Sequence, residues 1–349
     1  ARPASDCRGG RRGLRCGPRR GRRRRRRASC AGVDAAAAMF GAALATISPG
    51  VDGRRALEEV KRRVNGKDGP ASDSAEASVG FLRSEHTLVR FLIARQWDAD
   101  KAVLMLREHF AWLAQTKMSA LLLDPFPEEG HIKKYYPQTF HGTDKMGRPI
   151  YIERPGRMDM PRLLQAASFD RLLQYMAVGS ELQIRRRLPA CSLARGEVVD
   201  KSLNILDLDG LGPGLLGDPT ARKAVKEVVG ILQNHYPECA GKTIFINAPR
   251  VFSWAWSFVK PMLDAKTLAK ISIFGTDKKA YQTALLDLVD ADQLPTLFGG
   301  RCKCDGKDEL SCMTCVKGPW ADPEIMQILD EEPLERIMTP EGCRLLVER

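Results

Sequence analysis

Between residues 147 and 289 the chain alternates short apolar runs with amphipathic stretches, and no other feature limits the fold as much. GRPIYIE (147–153), SLNILDLDG (202–210), TIFINAP (243–249) and ISIFG (271–275) have the composition of strands. The first is entered from the turn TDKMG. The other three are unbroken apolar runs, the pattern of strands buried on both faces. Helical spacing fills the intervals, at 168–187, 219–234, 252–269 and 278–289. Strand–helix–strand repetition implies an α/β layer of mostly parallel strands with right-handed crossovers.

Upstream the period is helical throughout. A short polar helical pattern over Arg54–Asn65 lies in a stretch, 48–80, rich in Gly, Ser, Asp and Lys. Ser84 is placed to cap the next helix, TLVRFLIARQWD (87–98), where Leu88, Phe91 and Leu92 form an apolar stripe. The next position on that stripe is Arg95. A guanidinium facing a core is costly unless something pairs with it, so Arg95 is a candidate binding residue. In the helix after it, KAVLMLREHFAWLAQ, Val103, Leu106, Phe110 and Leu113 keep one face. Residues 80–118 are thus expected to form a small helical subdomain.

The net charge of +12 does not describe the folded part. Residues 1–38 hold 13 Arg against only Asp6 and Asp34, which leaves about +1 for the rest of the 349 residues. The run RRGRRRRRR (19–27) has too little apolar content to pack, and no nucleic-acid partner is expected for the body. With the apolar run Ala35–Ile47 it faintly imitates a targeting segment. Because the chain does not begin with Met, the favoured reading takes Met39 as the start and residues 1–38 as upstream sequence, the alternatives being an organelle-targeting segment and a nucleic-acid-binding or nuclear-targeting arm. No uncharged apolar run reaches the roughly 18 residues of a membrane span.

The sequence carries no nucleophile elbow, Walker-type phosphate loop or His-Glu-x-x-His pair. The glycines of DLDGLGPGLLGD match neither nucleotide fingerprint and read as a turn. His235 has no nucleophile near it, and no enzyme activity is expected. Ten cysteines do not form an evenly spaced disulfide framework, so a reducing compartment is the default. Four of them, Cys302, Cys304, Cys312 and Cys315, fall in CKCDGKDELSCMTC. Four thiolates could close a tetrahedral zinc site. Their spacing is short for a zinc ribbon and the loop is Gly/Asp-rich, so the reading is no metal, with these four as the candidate set.

WAWSFVKPMLDAKTLAK (254–270) puts Trp254, Trp256, Phe258, Met262 and Leu263 on one segment broken by Pro261. It is either a core helix or one that meets a bilayer or lids an apolar cavity, with Trp as the interfacial anchor.

FLIARQWD, YYPQTFHGTDKMGRPIYIE, RLPACS, the DLDG strand end, QNHYPECAGKTIFINAP, VKPMLDAKTLAKISIFG, LPTLFGG and KGPW (Lys317–Trp320) follow one another over about residues 80–325. This succession resembles the CRAL-TRIO lipid-binding family, in particular the yeast-type phosphatidylinositol/phosphatidylcholine transfer proteins. The Cys-containing segment is similar to plant and algal members. The resemblance implies an N-terminal helical subdomain and an α/β lobe whose mostly parallel sheet floors an apolar lipid pocket under a gate helix. It divides the chain into a disordered Arg/Ala-rich tail (1–50), a helical subdomain (51–130), the lipid-binding domain (131–300) and a C-terminal extension (301–349).

The family's phosphatidylinositol headgroup signature falls on Arg95, Glu238 and Lys270, with Thr267 at a phosphate-contacting position. Arg offers a planar fork and Lys a point charge to a phosphodiester, and Glu238 would hold both cations when no lipid is bound. The phosphatidylcholine pocket falls on Phe140, Tyr151, Ser202 and Asn204. Phe140 stands where a Tyr is expected and Asn204 where a Thr is expected, so the second ligand is phosphatidylcholine or another lipid. The gate and membrane contact fall on Trp254, Trp256, Phe258, Met262 and Leu263. The resemblance further implies phospholipid exchange between membranes without a cofactor, by a monomer that is cytoplasmic and peripheral on Golgi, endosomal or plasma membranes. It also implies help to lipid kinases. The alternatives are a carrier of a tocopherol, retinoid or sterol-type ligand, and a lipid-sensing regulator without transfer activity.

Overall fold

The computed structural model describes residues 51–66, 82–123, 126–304, 306 and 308–347. The Arg-rich tail and the Ala35–Ile47 run lie outside the described residues, as do residues 67–81.

The N-terminal part is built on helices α1 (Val51–Asn65), α2 (Glu85–Ala94) and α3 (Ala99–Thr116). Ser84 caps α2 by accepting from the Thr87 N–H, and Asp98 caps α3 by accepting from the Lys101 N–H. Leu57, Val60 and Val64 of α1 close against Leu88, Phe91 and Leu92 of α2 and Val103, Met105 and Leu106 of α3, all buried. The apolar stripes of the sequence therefore do face one core.

A five-stranded sheet follows, in the order β1 (Gln138–Thr143), β2 (Pro149–Glu153), β3 (Ser202–Asp207), β4 (Ala240–Ile246) and β5 (Ile271–Ile273). β1 is antiparallel to β2; the other neighbours are parallel. The segment that became β1, QTFHGT, went unread as a strand. It mixes polar residues with Gly142 at φ +67° and carries a register shift against β2, so it shows no period of two. The turn into β2 is tied by Asp144, whose carboxylate accepts from the Met146 and Arg148 N–H groups and from the Arg148 guanidinium.

Consecutive parallel neighbours joined by right-handed crossovers must send every crossover to the same side of the sheet. The side chains bear this out. Ile150, Ile152, Leu203, Ile205, Ile244 and Ile246 point to one face and are 0–1% exposed. They pack against Tyr281, Leu285 and Val289, on or just after helix Lys278–Leu288, and against Leu294, Phe298 and Met313. The alternating residues Tyr151, Glu153, Asn204, Leu206, Thr243 and Phe245 point to the other face and are only half-buried. The strands are therefore not buried on both faces as their apolar runs suggested. One face is sealed, and the other looks toward the crossover helices.

Those crossovers include α4 (Phe169–Leu182), α5 (Leu188–Arg195), α6 (Pro219–His235) and α7 (Phe252–Val259). Between α4 and α5 runs a π-helical turn, Gln183–Arg187. Pro189 has no N–H to give the Arg185 carbonyl, which removes one rung of the α ladder at this point. The C-terminal helices α8 (Pro323–Glu331), α9 (Leu334–Ile337) and α10 (Pro340–Val347) cover α5, where Ala190 and Leu193 meet Leu329, Ile337 and Leu346. Ile205→Ala on the sealed face should cost about 2–5 kcal/mol in chemical denaturation. Leu206→Ala, one residue on and half-buried, should cost less than half as much.

Candidate functional site

The half-buried face of the sheet is organised as rows. Phe140, Tyr151, Asn204 and Thr243 are successive register partners across β1, β2, β3 and β4. The rings of Phe140 and Tyr151 lie 4.9 Å apart, and Trp320 meets Phe140 edge-on at 6.2 Å. Along the same row, Gln183 Nε2 donates to Ser202 Oγ (3.1 Å), Ser202 Oγ to Asn204 Oδ1 (2.8 Å), and Asn204 Nδ2 to Thr243 Oγ1 (3.4 Å). Tyr151 Oη donates to Gln138 Oε1. Phe140, Tyr151, Ser202 and Asn204, far apart in the sequence, thus share one wall. Ser202 is fully buried, while the other three keep exposed surface.

Burial pushes the Tyr151 phenol well above its usual range and raises the Glu153 carboxyl to about 7. Both residues are half-buried by surface. Glu153 accepts a hydrogen bond from Tyr136 Oη. Arg187, in the π-helical turn, lays its guanidinium over the Phe140 ring at 4.3 Å. Its Nε is buried without a hydrogen-bond partner, and burial lowers its pKa to about 10. Sequence reading missed Arg187 because Arg185, Arg186 and Arg187 stand in a row, and only the π turn decides which one faces inward.

α7 covers this face. Its Phe252 and Trp256 pack on Phe245 of β4, with ring centroids at 5.5 and 5.8 Å. On its outer side Trp254 and Phe258 are 53% and 42% exposed. Met262 and Leu263 follow, half-buried, and Gln233 of α6 holds the Met262 carbonyl at 2.7 Å. One segment therefore shows aromatic surface to the hollow and to the outside at once.

The four predicted headgroup residues are brought together only in part. Glu238 sits at φ +59° in the turn between α6 and β4, and its carboxylate holds Lys270 Nζ at 2.8 Å. Thr267 is one turn before Lys270, but its hydroxyl and N–H are both spent on Asp264, the cap of helix Ala265–Ala269. Arg95 departs from expectation. α2 ends at Ala94, and the chain then turns through Gln96 and Trp97, both at positive φ. Arg95 is the half-buried residue after the helix and not the next rung of the stripe. Among the described residues it has no ion-pair partner, and its guanidinium reaches only the Ala94 carbonyl at 3.5 Å. Glu238 does not hold two cations. The arginine that does enter the core is Arg90, which donates to the Asp200 carbonyl (2.7 Å) and lies 3.0 Å from Cys239 Sγ. It ties α2 to the turn that carries Glu238.

His235 stacks on Trp112 at 4.1 Å and lies 3.4 Å from His109. Burial lowers its pKa to about 4, so it is a packed neutral imidazole. No helix of the described residues is long and apolar enough to cross a membrane.

The sheet is thus sealed on one face, and its other face carries aromatic and polar rows partly covered by an aromatic helix. A family model for the CRAL/TRIO domain matches residues 133–300, and one for the CRAL/TRIO N-terminal domain matches residues 56–108. The chain belongs to this family. It is 40% identical over 248 residues to the phosphatidylinositol/phosphatidylcholine transfer protein SFH4 of Arabidopsis thaliana, covering 71% of this chain and 40% of that one. It is 36% identical over 257 residues to SFH11 of the same plant, covering 72% and 67%. With the Sec14 cytosolic factor of Schizosaccharomyces pombe it shares 35% identity over 241 residues, covering 69% and 81%. The chain spans about two-fifths to a half of the first of these curated relatives. The crystal structure of Sfh5 superposes with a TM-score of 0.57 at 16% identity, covering 81% of this chain and 97% of that one, which shows a shared fold.

The buried Glu153 gives the hollow a pH signature. Its folded pKa lies above the ordinary 4.5, so the stability it confers is complete below about 4.5 and is lost as pH rises through about 7. Glu153→Gln should therefore leave the melting temperature nearly unchanged at pH 4.5 and raise it at pH 8.

Proposed function

We propose that the chain binds one phospholipid in the hollow over its sheet and exchanges it between membranes, with phosphatidylinositol as one ligand. The observation that carries this is the double-faced cover. α7 rests Phe252 and Trp256 on Phe245 while Trp254 and Phe258 stand in solvent. Such a helix gains by burying its outer aromatics in a bilayer interface, and the gain offsets the loss of its packing on the sheet. The acyl chains would lie over Leu206 and Phe245. No bond need be made or broken, and no cofactor is required.

For the headgroup, the Glu238–Lys270 pair is a latch that a phosphate oxygen competes for, since Lys270 can exchange one anion for another. Arg95, without an ion-pair partner among the described residues, is the second cation. The relatives named as phosphatidylinositol/phosphatidylcholine transfer proteins support this choice of ligand. The second lipid meets Phe140 and Tyr151, with Asn204 in hydrogen-bond reach of Ser202 and Thr243. Phe140 keeps an aromatic face for a quaternary ammonium but lacks a hydroxyl, so phosphatidylcholine or a less polar lipid fits there. In this reading the protein works as a cytoplasmic monomer, peripheral at its target membrane, and lipid kinases are its beneficiaries.

Lys270→Ala, Glu238→Lys and Arg95→Ala should each cut phosphatidylinositol transfer between vesicles at least about tenfold with unchanged circular dichroism. Full transfer by all three would sink the headgroup assignment. Trp254→Ala with Phe258→Ala should weaken vesicle binding while bound lipid, read by native mass spectrometry, is retained. The same spectra decide the ligand, because a sterol or isoprenoid in place of phospholipid would refute the reading.

A further inference from the structure

The four C-terminal cysteines do not lie in an open loop. They converge on His141 of β1, more than 150 residues earlier. One ring nitrogen of His141 and the sulfurs of Cys302, Cys304 and Cys312 all lie within 4.8 Å of one another. The Cys302–Cys304 and Cys304–Cys312 sulfur separations are 3.9 and 3.6 Å. A tetrahedral zinc with Zn–S bonds of about 2.3 Å needs sulfur–sulfur edges of about 3.8 Å. His141, Cys302 and Cys312 are buried, and His141 Nε2 has no hydrogen-bond partner.

We infer that His141, Cys302, Cys304 and Cys312 form a structural zinc site, separate from the lipid hollow and independent of the lipid reading. The objection from sequence was the short spacing between the two cysteine pairs. It falls away when the fourth ligand comes from elsewhere in the chain. Cys315 is the remaining thiol, 3.3 Å from His141 Nδ1 and 2.7 Å from Cys304 Sγ. Two sulfurs that close would subtend only about 70° at a zinc, far from the tetrahedral angle, so Cys315 stands beside the set and not within it. Three thiolates and one neutral imidazole leave a bound Zn²⁺ with net charge −1. Lys317 supplies the compensating cation, with Nζ 3.2 Å from Cys302 Sγ and anchored on the Asp292 carbonyl. Binding releases the three thiol protons to solvent and involves no electron transfer.

The loop is shaped for the purpose. Cys304 is in the left-handed region at φ +49°. Asp308 accepts from the Leu310 N–H and from Ser311 Oγ, which sets Cys312 at the turn. Cys312 Sγ in turn reaches the Cys302 carbonyl. The site joins this segment to the outer edge of β1, where Gly142 N–H donates to the Lys317 carbonyl. That edge would otherwise be unpaired.

The test uses the whole chain purified from zinc-supplemented cells under reducing conditions, with metal read by plasma mass spectrometry. About one zinc per chain is expected, falling below about a fifth in Cys312→Ser and His141→Asn and staying near one in Cys315→Ser and in the distant buried Cys191→Ser. Because the ligand variants could misfold, unaltered protein stripped of metal is also titrated with Co²⁺. Tetrahedral d–d bands and a thiolate charge-transfer band saturating at one equivalent support the site. Reduced protein that binds neither metal overturns it. A Cys304–Cys315 disulfide in protein made under reducing conditions overturns it as well. Loss of zinc in Cys315→Ser with retention in His141→Asn overturns the ligand set.

Discussion

Everything about the site follows from the handedness of three crossovers. With β2, β3, β4 and β5 in sequence order, right-handed connections can only stack on one side. That leaves the opposite face to a single later helix, Lys278–Leu288, and to the segments after it, which pack it to 0–1% exposure. The sealed face supplies the apolar burial that holds the strands in register. The crowded face is then free to be underpacked. Tyr151, Asn204 and Thr243 on the crossover side stay only partly covered, although the strands there are rich in apolar residues.

An underpacked face must still satisfy its polar groups. The ladder Gln183–Ser202–Asn204–Thr243 does this across three elements, while Gln138, which accepts from Tyr151, keeps a buried Nε2 without a partner. Charge is handled differently. Arg187 is held over Phe140 with its Nε unpartnered, and burial raises the Glu153 carboxyl to about 7. Near the turn at Glu238, Arg90 is spent on the Cys239 thiol and the Asp200 carbonyl and Lys270 on Glu238, while Arg95 reaches only the Ala94 carbonyl. The two arginines of α2's sequence, five residues apart, have different tasks because the helix stops between them.

The periodic parts of this architecture were legible. The four apolar strands, the capped α2 and α3, and their common core lie where spacing alone put them, and the residues of the Phe140–Asn204 wall do come together. What escaped reading depends on partners distant in the chain. β1 has no alternation because one of its edges is shaped by Lys317 and the cysteine loop. Helices α8 to α10 went unread because their apolar residues find their face only on α5, some 140 residues earlier. The two-sided burial inferred for the strands was wrong for a specific reason. A handful of polar residues among apolar ones looks the same whether the second face meets a helix or a cavity. Arg95 was misplaced because a helix end set by two left-handed residues, Gln96 and Trp97, neither of them glycine, leaves no mark in the sequence.

The edge strand β1 also connects features that composition kept apart. Side chains alternate along a strand. Phe140 therefore faces the hollow, against Tyr151, Arg187 and Trp320, while His141 faces the cysteine loop. Gly142, at φ +67°, follows with its Cα against Gln293, where a Cβ would come within 2.9 Å of backbone and side-chain oxygens. A β1 edge held by the loop through His141, Gly142 and Lys317 sets the angle at which Phe140 meets Tyr151, Arg187 and Trp320. Without that hold, β1 pairs with β2 alone and across a register shift, and the aromatic wall would inherit the looseness of an unpinned edge. The cysteine segment therefore bears on how Phe140 is placed, even though its side chains face the other side of β1.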